Sequence, residues 1–291
     1  MDNPVLRMSQ YRVTSILGKQ QSLYDYYSAK LFLVHFLLIK NMKTKIKDRL
    51  RDIEKAKGIK ILFACEAGSR AWGFPSPDSD YDVRFIYVQP MERYLSVQLP
   101  VEQLTFPIND ELDISGWDLR KTLGLVCRSN AVVPEWLQSP VVYAEQGDFR
   151  EELFRLCQSC FCTRSVVHHY LGITKGALTG GTGEKLKLKK VFYVVRSLLS
   201  AHWCVEKKTI PPMNIFPLMM LLSPEIREKV LSFIRVKASA DEYFTIELDG
   251  DLKRWITDTL DYCSYRADEF SKKQAEWDKP DEFFRKTVMT C

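Results

Sequence analysis

The sequence predicts an α+β fold, a small mixed β-sheet carrying helices and followed by a helical region. Three observations predict it. Residues 59–65 (IKILFAC) and 81–88 (YDVRFIYV) are short runs rich in apolar, β-branched and aromatic side chains, as buried strands are. The segment between them holds Gly68, Gly73, Pro75 and Pro77, so the chain must turn there. From about residue 149 onward, apolar residues recur at helical rather than alternating spacing.

Taken in order, residues 1–41 carry a polar start, then Tyr24, Tyr26, Tyr27 and the apolar run 31–39 (LFLVHFLLI), a candidate helix in an N-terminal extension of unknown role. Met42 opens a sequence suited to begin a domain. Residues 43–57 place Ile46, Leu50 and Ile53 at helical spacing among charges, and Gly58 ends that helix. After the two strands, residues 111–117 form a third candidate strand, and Asp118 can cap a helix running to about 128. Helices are expected at 149–161, 164–178, 184–206, 224–236 and 251–276, punctuated by the Gly-rich break 179–183 and by Pro211-Pro212. Three parts follow: 1–41, a catalytic-type α+β part at 42–147, and a helical domain at 148–291.

Composition removes some classes of function. With 42 Lys+Arg against 37 Asp+Glu, the net charge of +5 permits a local basic surface without demanding one. The chain has 291 residues, 46% hydrophobic and 27% charged, which is globular. No run approaches the ~18 apolar residues of a membrane span, and 31–39 sits too far in, behind Lys19 and Lys30, for a secretory signal. Eight cysteines form no regular framework, so reduced thiols in a cytoplasmic protein are expected.

The chemistry concentrates in residues 64–88, ACEAGSRAWGFPSPDSDYDVRFIYV. A strand runs into Gly68-Ser69-Arg70, and ten residues separate Ser69 from Asp80 and the following Asp82. Strand alternation puts Asp80, Asp82 and Arg84 on one face and Tyr81, Val83 and Phe85 on the other. Two carboxylates that close repel unless a cation lies between them, and Mg²⁺ (or Mn²⁺) is the natural one because it takes oxygen ligands together with substrate phosphates. Gly68 lets backbone approach a phosphate, and the Ser69 hydroxyl can hydrogen-bond phosphate oxygens. A third carboxylate is expected on a neighbouring strand. Asp113 can serve as a base toward an attacking hydroxyl or bind a second metal, with Glu111 on the same face as its rival.

With Gly68-Ser69, ten residues, Asp80-x-Asp82 and a later strand aspartate in hand, the sequence resembles the DNA polymerase β-type nucleotidyltransferases. More narrowly, EAGSRAWGFPSPDSDYDVRFIYV resembles the predicted nucleotidyltransferases associated with RNA ligases, an RNA-repair polymerase-β-like family. KKVFYVVRSLLSAHWCVE followed by Pro211-Pro212 is similar to that family's tail, and the likeness runs over about 42–280. Ala67 departs from it, since relatives often carry serine there. The resemblance implies transfer of a nucleoside monophosphate from an NTP to a hydroxyl acceptor, with an RNA end as the expected acceptor. It implies Asp80, Asp82 and Asp113 as catalytic metal ligands and Gly68 and Ser69 at the phosphates.

Other residues admit two readings each. Arg70 and Arg84 can contact phosphate, but beside aspartates an ion pair serves as well, and Arg84 on their face favours electrostatic support. Trp72 and Phe74 can stack on a base or anchor a loop. Lys189, Tyr193 and Arg196 share a helix face, so Lys189 and Arg196 can clamp phosphate or be an ordinary helix start with its amphipathic body. Cys157-x-x-Cys160-x-Cys162 with His168-His169 has zinc-binding atoms, yet it lies in helical sequence without a second CxxC, and buried thiols explain it equally. Two rivals to the RNA-directed transferase are a non-catalytic nucleotide-binding, RNA-binding or antitoxin-like protein, and an adenylyltransferase acting on a protein or small molecule.

Overall fold

The computed structural model describes residues 41–76, 78–108, 111–179, 185–239 and 243–291. The expected extension, apart from Asn41, and the Gly-rich break beyond Thr179 lie outside the described residues. The chain divides into two units, 1–52 and 53–291. In the first, residues 41–52 are helical, with Ile46 and Leu50 buried at i and i+4. In the second, helical residues 53–57 end at Gly58, and Glu54 Oε1 accepts from Ile61 N at 2.6 Å, which fixes the entry to the sheet.

The sheet has five strands: β1 (Lys60–Glu66), β2 (Tyr81–Val88), β3 (Gln103–Thr105), β4 (Leu112–Asp118) and β5 (Val142–Glu145). Their spatial order is β3-β4-β2-β1-β5. β1 pairs antiparallel with β2 and β5, β3 antiparallel with β4, and β2 parallel with β4. The mixed sheet expected from the sequence is therefore present. β4 shows why its phase could be read: Leu112, Ile114 and Gly116 are buried while Asp113, Ser115 and Trp117 are half-buried. At Gly116 an added Cβ would sit 2.2 Å from the Phe85 ring on β2, so only glycine lets these strands close at that register.

Asp118 ends β4 and caps the helix Leu119–Cys127, its Oδ1 accepting from Arg120 N at 2.8 Å. The buried carboxylate also accepts from Tyr94 Oη at 2.7 Å and Gln89 Nε2 at 3.0 Å, so its burial is compensated by hydrogen bonds. One core lies against the sheet around Phe63, Ile86, Leu119 and Leu153.

A second core lies among the helices. Its centre is Leu188–Lys207, packed on Thr163–Thr179 and Gly250–Glu269 through Val191, Val195, Leu198 and Leu199. The helices Phe149–Cys160 and Pro224–Lys237 also stand where periodicity puts them. Two expectations change. Residues 185–187 are a strand, β6 (Lys185–Lys187), paired antiparallel with β7 (Thr245–Glu247), and the helix begins only at Leu188. The long helix expected to 276 stops at Glu269, and a separate one, Asp278–Thr290, follows. The sheet-rich and helical parts lie within the second unit, 53–291. Among the described residues no helix is long and apolar enough to cross a membrane.

Candidate active site

β1 delivers the chain to Gly68, which opens the short helix Ser69–Trp72. Gly73 closes that helix at φ 98°, a left-handed conformation that favours glycine. Phe74 then plugs into the helical core, stacked on Phe192 with ring centroids 4.5 Å apart. The turn between the strands is thus anchored at both ends before it reaches the aspartates.

Asp80 lies just before β2, and Asp82 is its second residue. A Cβ on Gly68 would stand 1.7 Å from Asp82 Oδ2 and 2.6 Å from Cγ, so the carboxylate occupies the space that a side chain at 68 would need. Gly68 therefore serves a close approach. Its other side is Asp82 Oδ1, which accepts from Arg84 Nη2 at 3.0 Å. Glu66, the last residue of β1, is buried and accepts from Asp82 N at 2.9 Å and from Tyr143 Oη at 2.6 Å. Burial pushes the Asp82 carboxyl up to about 6, with Asp80, Glu66 and Asp113 adding repulsion against the opposing pull of Arg84. Burial likewise raises Glu66, opposed by its bond from Tyr143.

The parallel register sets Asp113 beside Asp82 across β2 and β4. Arg84 joins them. Its Nη2 reaches Asp113 Oδ2 at 2.6 Å as well as Asp82 Oδ1, and its Nη1 donates to the carbonyls of Asp113 at 2.8 Å and Val83 at 3.2 Å. All three side chains are three-quarters or more buried, so this is a partly desolvated ion triad rather than a surface pair. Glu111 stays in the exposed turn before β4, where its carbonyl accepts from Tyr81 N at 2.8 Å.

The residues expected at phosphate take varied positions. Ser69 Oγ donates to Ser79 Oγ at 3.0 Å, and Ser79 Oγ also meets Ser76 N and Ser76 Oγ, both at 2.9 Å. Arg70 donates to the carbonyls of Ser79 at 2.6 Å and Asp80 at 3.2 Å and lies over the Tyr81 ring at 4.0 Å. In this conformation both side chains brace the turn that carries Asp80. Arg196 is buried and bonded to Met213 O and Glu135, with its guanidinium 4.5 Å from the centroid of the Trp72 ring, and burial lowers it to about 9. Lys189 is exposed one turn before Tyr193, and its charge acts on the Tyr193 phenol together with those of Asp82, Asp80 and Arg84.

A cleft of about 350 Å³ opens here, lined on the sheet side by Ala67, Gly68, Asp82, Arg84 and Trp117 and on the helical side by His169, Ile173, Tyr193, Arg196 and Ser197. Glu66, Tyr143, Glu135, Trp117 and Trp136 also belong to this neighbourhood, beyond the residues that the sequence motifs single out. Trp136 is packed 4.2 Å from Trp117 between ring centroids, and both line the cleft. Only the position of Glu66, an acid closing a buried strand two residues before the glycine, was a signal in the sequence.

The donor set answers whether a divalent cation fits. Asp80 and Asp82 offer hard oxygens, and the burial that raises Asp82, with the neighbouring acids adding to it, is a cost to its charge that a cation relieves. Asp113 is held by Arg84, and among the described residues no three His, Cys, Asp or Glu side chains gather as a ligand set. The oxygens of Asp80 and Asp82 thus suit a Mg²⁺ completed by substrate oxygens, as Mg²⁺ commonly is. Of the candidate zinc cysteines, Cys157 and Cys160 are buried on Phe149–Cys160, and Cys162 follows it, its Sγ 3.8 Å from Ser271 O.

A family model described as RNA repair pathway DNA polymerase beta family matches residues 42–286. The chain is also 43% identical over 204 residues to a Bacillus subtilis (strain 168) protein, "Uncharacterized protein YcgL", the alignment covering 69% of this chain and 78% of that protein.

Proposed function

This chain belongs to the RNA repair pathway DNA polymerase beta family, and from that premise we propose that it is a nucleotidyltransferase that moves a nucleoside monophosphate from an NTP to a hydroxyl acceptor, an RNA end. The observation that carries this reading is the Asp82 carboxylate, wedged against the glycine of the Gly-Ser turn and tied through Arg84 to Asp113 beside an aromatic-lined cleft.

Asp80 and Asp82 would hold Mg²⁺, which when bound neutralises charge on the triphosphate. The Gly68–Ser69 turn meets the phosphates from the side where glycine leaves backbone accessible. Lys189, on the exposed start of its helix, supplies positive charge for the leaving pyrophosphate. Trp117 and Tyr193 offer ring surface to the base or to the acceptor end. Arg84 occupies Asp113 Oδ2, which leaves Oδ1 to accept the acceptor's proton. The acceptor oxygen bonds to the α-phosphorus, the bond from that phosphorus to the β-phosphate bridging oxygen breaks, and pyrophosphate departs. Positioning and charge neutralisation supply most of the rate in such a transfer.

The test is incubation with each α-labelled NTP, Mg²⁺ or Mn²⁺ and a pool of RNA 3′ ends, beside an Asp80→Ala/Asp82→Ala control. Label in RNA only with intact aspartates supports the reading and names the nucleotide. Label in protein or small molecules instead would move the acceptor, and neither transfer nor metal-dependent NTP binding would leave a nucleotide-binding or RNA-binding module.

A further inference from the structure

Glu66 is a carboxylate at 1% exposure, where acids are seldom found without a partner. Its partners among the described residues are hydrogen-bond donors rather than Lys or Arg. Oε1 accepts from Asp82 N at 2.9 Å and Oε2 from Tyr143 Oη at 2.6 Å. Its own backbone N donates to Val141 O at 3.0 Å, just before β5. Since β1 lies between β2 and β5, the side chains of Tyr143 and Glu66 link Asp82 to the far side of the sheet.

The main-chain ladder between β1 and β2 ends at this point. Glu66 stands opposite Val83, Ala67 N donates to Asp82 O at 2.9 Å, and the chain then turns away into Gly68. Asp82 N therefore finds its acceptor in the Glu66 side chain instead of a carbonyl. We infer that Glu66, clamped by Tyr143, is a positioning residue of this active site: by holding the Asp82 N–H it fixes the separation of β2 from the Gly68 turn, and so where the Asp82 carboxylate stands. The inference rests on the nucleotidyltransferase reading and deepens it. That separation has no slack, because Asp82 Oδ2 fills the place that a Cβ on Gly68 would take. Without the Glu66 oxygen, the Asp82 N–H loses its partner and β2 is free to draw away from the turn. Glu66 is not among the residues that line the cleft, so it acts through Asp82 and does not touch substrate. Placement of this kind matters, since an error of about 1 Å can cost about a hundredfold in rate.

The experiment measures Mn²⁺ affinity by electron paramagnetic resonance on the full chain with a non-hydrolysable NTP analogue, in the native protein, Glu66→Gln and Glu66→Ala. Each is held well below its own melting transition. Both substitutions remove the same charge, but glutamine keeps an oxygen for the Asp82 N–H. Glu66→Gln should therefore bind Mn²⁺ about tenfold more tightly than Glu66→Ala, the worth of one buried hydrogen bond. A Glu66 that served only the fold would lower the melting temperature and leave the two affinities alike. Equal affinities, or the reverse order, would overturn the inference while leaving the nucleotidyltransferase reading in place. A native chain that binds no Mn²⁺ with the nucleotide would overturn both. If Glu66→Ala fails to fold, Tyr143→Phe decides, because it keeps the charge of Glu66 and removes only the clamp. Its affinity should fall about threefold or more below native, and native affinity would overturn the inference.

Discussion

Gly68→Ala tests the geometry of the site with a single methyl group. The backbone at Gly68 has φ −93° and ψ −152°, a conformation that alanine tolerates, so strain is not the issue. The issue is space. The new Cβ would stand 1.7 Å from Asp82 Oδ2, 2.6 Å from Cγ and 3.0 Å from Cβ, where ordinary contact begins near 3.4 Å. Either β2 shifts or the Asp82 side chain rotates away from Arg84. Overpacking of this kind costs about 1–3 kcal/mol. Losing a hydrogen bond to a charged group adds about 1.5–3 kcal/mol, and the stiffer unfolded chain returns about 0.4–1 kcal/mol. The expected net destabilisation is about 2–5 kcal/mol, a fall in Tm of roughly 5–15 °C.

The assay is urea unfolding of the metal-free protein, in a cycle with Asp82→Ala. Removing the carboxylate first takes away the 1.7 and 2.6 Å clashes and leaves only the contact at 3.0 Å, so Gly68→Ala in that background should cost less than about 1 kcal/mol. Mn²⁺ affinity of the single Gly68→Ala variant should fall at least tenfold. Native stability in Gly68→Ala, or an equal cost with and without the Asp82 carboxylate, would refute the reasoning.

Three further outcomes follow from the same structure. Gly172, on the exposed side of Thr163–Thr179, has nothing within 4 Å of an added Cβ, so Gly172→Ala should raise stability by about 0.5–1 kcal/mol in the same unfolding assay; a loss would contradict the placement of that helix. Arg196→Met should destabilise by about 3–5 kcal/mol because it strands the nearly buried Glu135, and Arg196→Met/Glu135→Leu should recover much of that in chemical denaturation; full additivity would show that the two are not paired. Asp82 is raised from 3.8 to about 6, so the folded metal-free chain binds its proton more tightly than the unfolded chain; stability should fall as pH rises from about 4 to 6, by up to about 3 kcal/mol from this group, and level off above. Melts in chelator across that window should show a shallower fall in Asp82→Asn, and an identical slope would exclude Asp82 as the titrating group.

The readable parts of this molecule are those whose cause is local. Alternation in YDVRFIYV and LDISGWD suffices to put Asp82 and Asp113 each on the less buried face of its own strand, because strand phase is a property of a few adjacent residues. What could not be read depends on partners far along the chain. Residues 185–187 look like the start of a helix until Thr245–Glu247 pairs with them. Arg196 looks like an exposed helix basic until residues 194–201 of its helix are buried and Glu135 meets it from 61 residues away. The same holds for Glu66, whose Tyr143 partner lies 77 residues on. Arg84 was read as support for the aspartates from its strand face alone. Its link to Asp113 required the parallel pairing of β2 and β4.

Asp80 poses the opposite problem from Asp82, because no strand holds it. It precedes β2, so its position depends on the turn before it. That turn is fixed by a chain of polar contacts: Lys237 Nζ donates to Ser76 Oγ at 3.1 Å across 161 residues, Ser76 meets Ser79, Ser79 meets Ser69, and Arg70 holds the carbonyls of Ser79 and Asp80. Lys237 ends Pro224–Lys237 and is itself buried, so the last turn of a helix in the second core sets the loop that carries a carboxylate of the first. A buried ammonium is tolerated only where polar groups surround it, and the serine hydroxyls are such groups. The serine-rich turn before Asp80 thus has a structural task. It converts an irregular turn into a fixed platform for Asp80, next to the strand that holds Asp82.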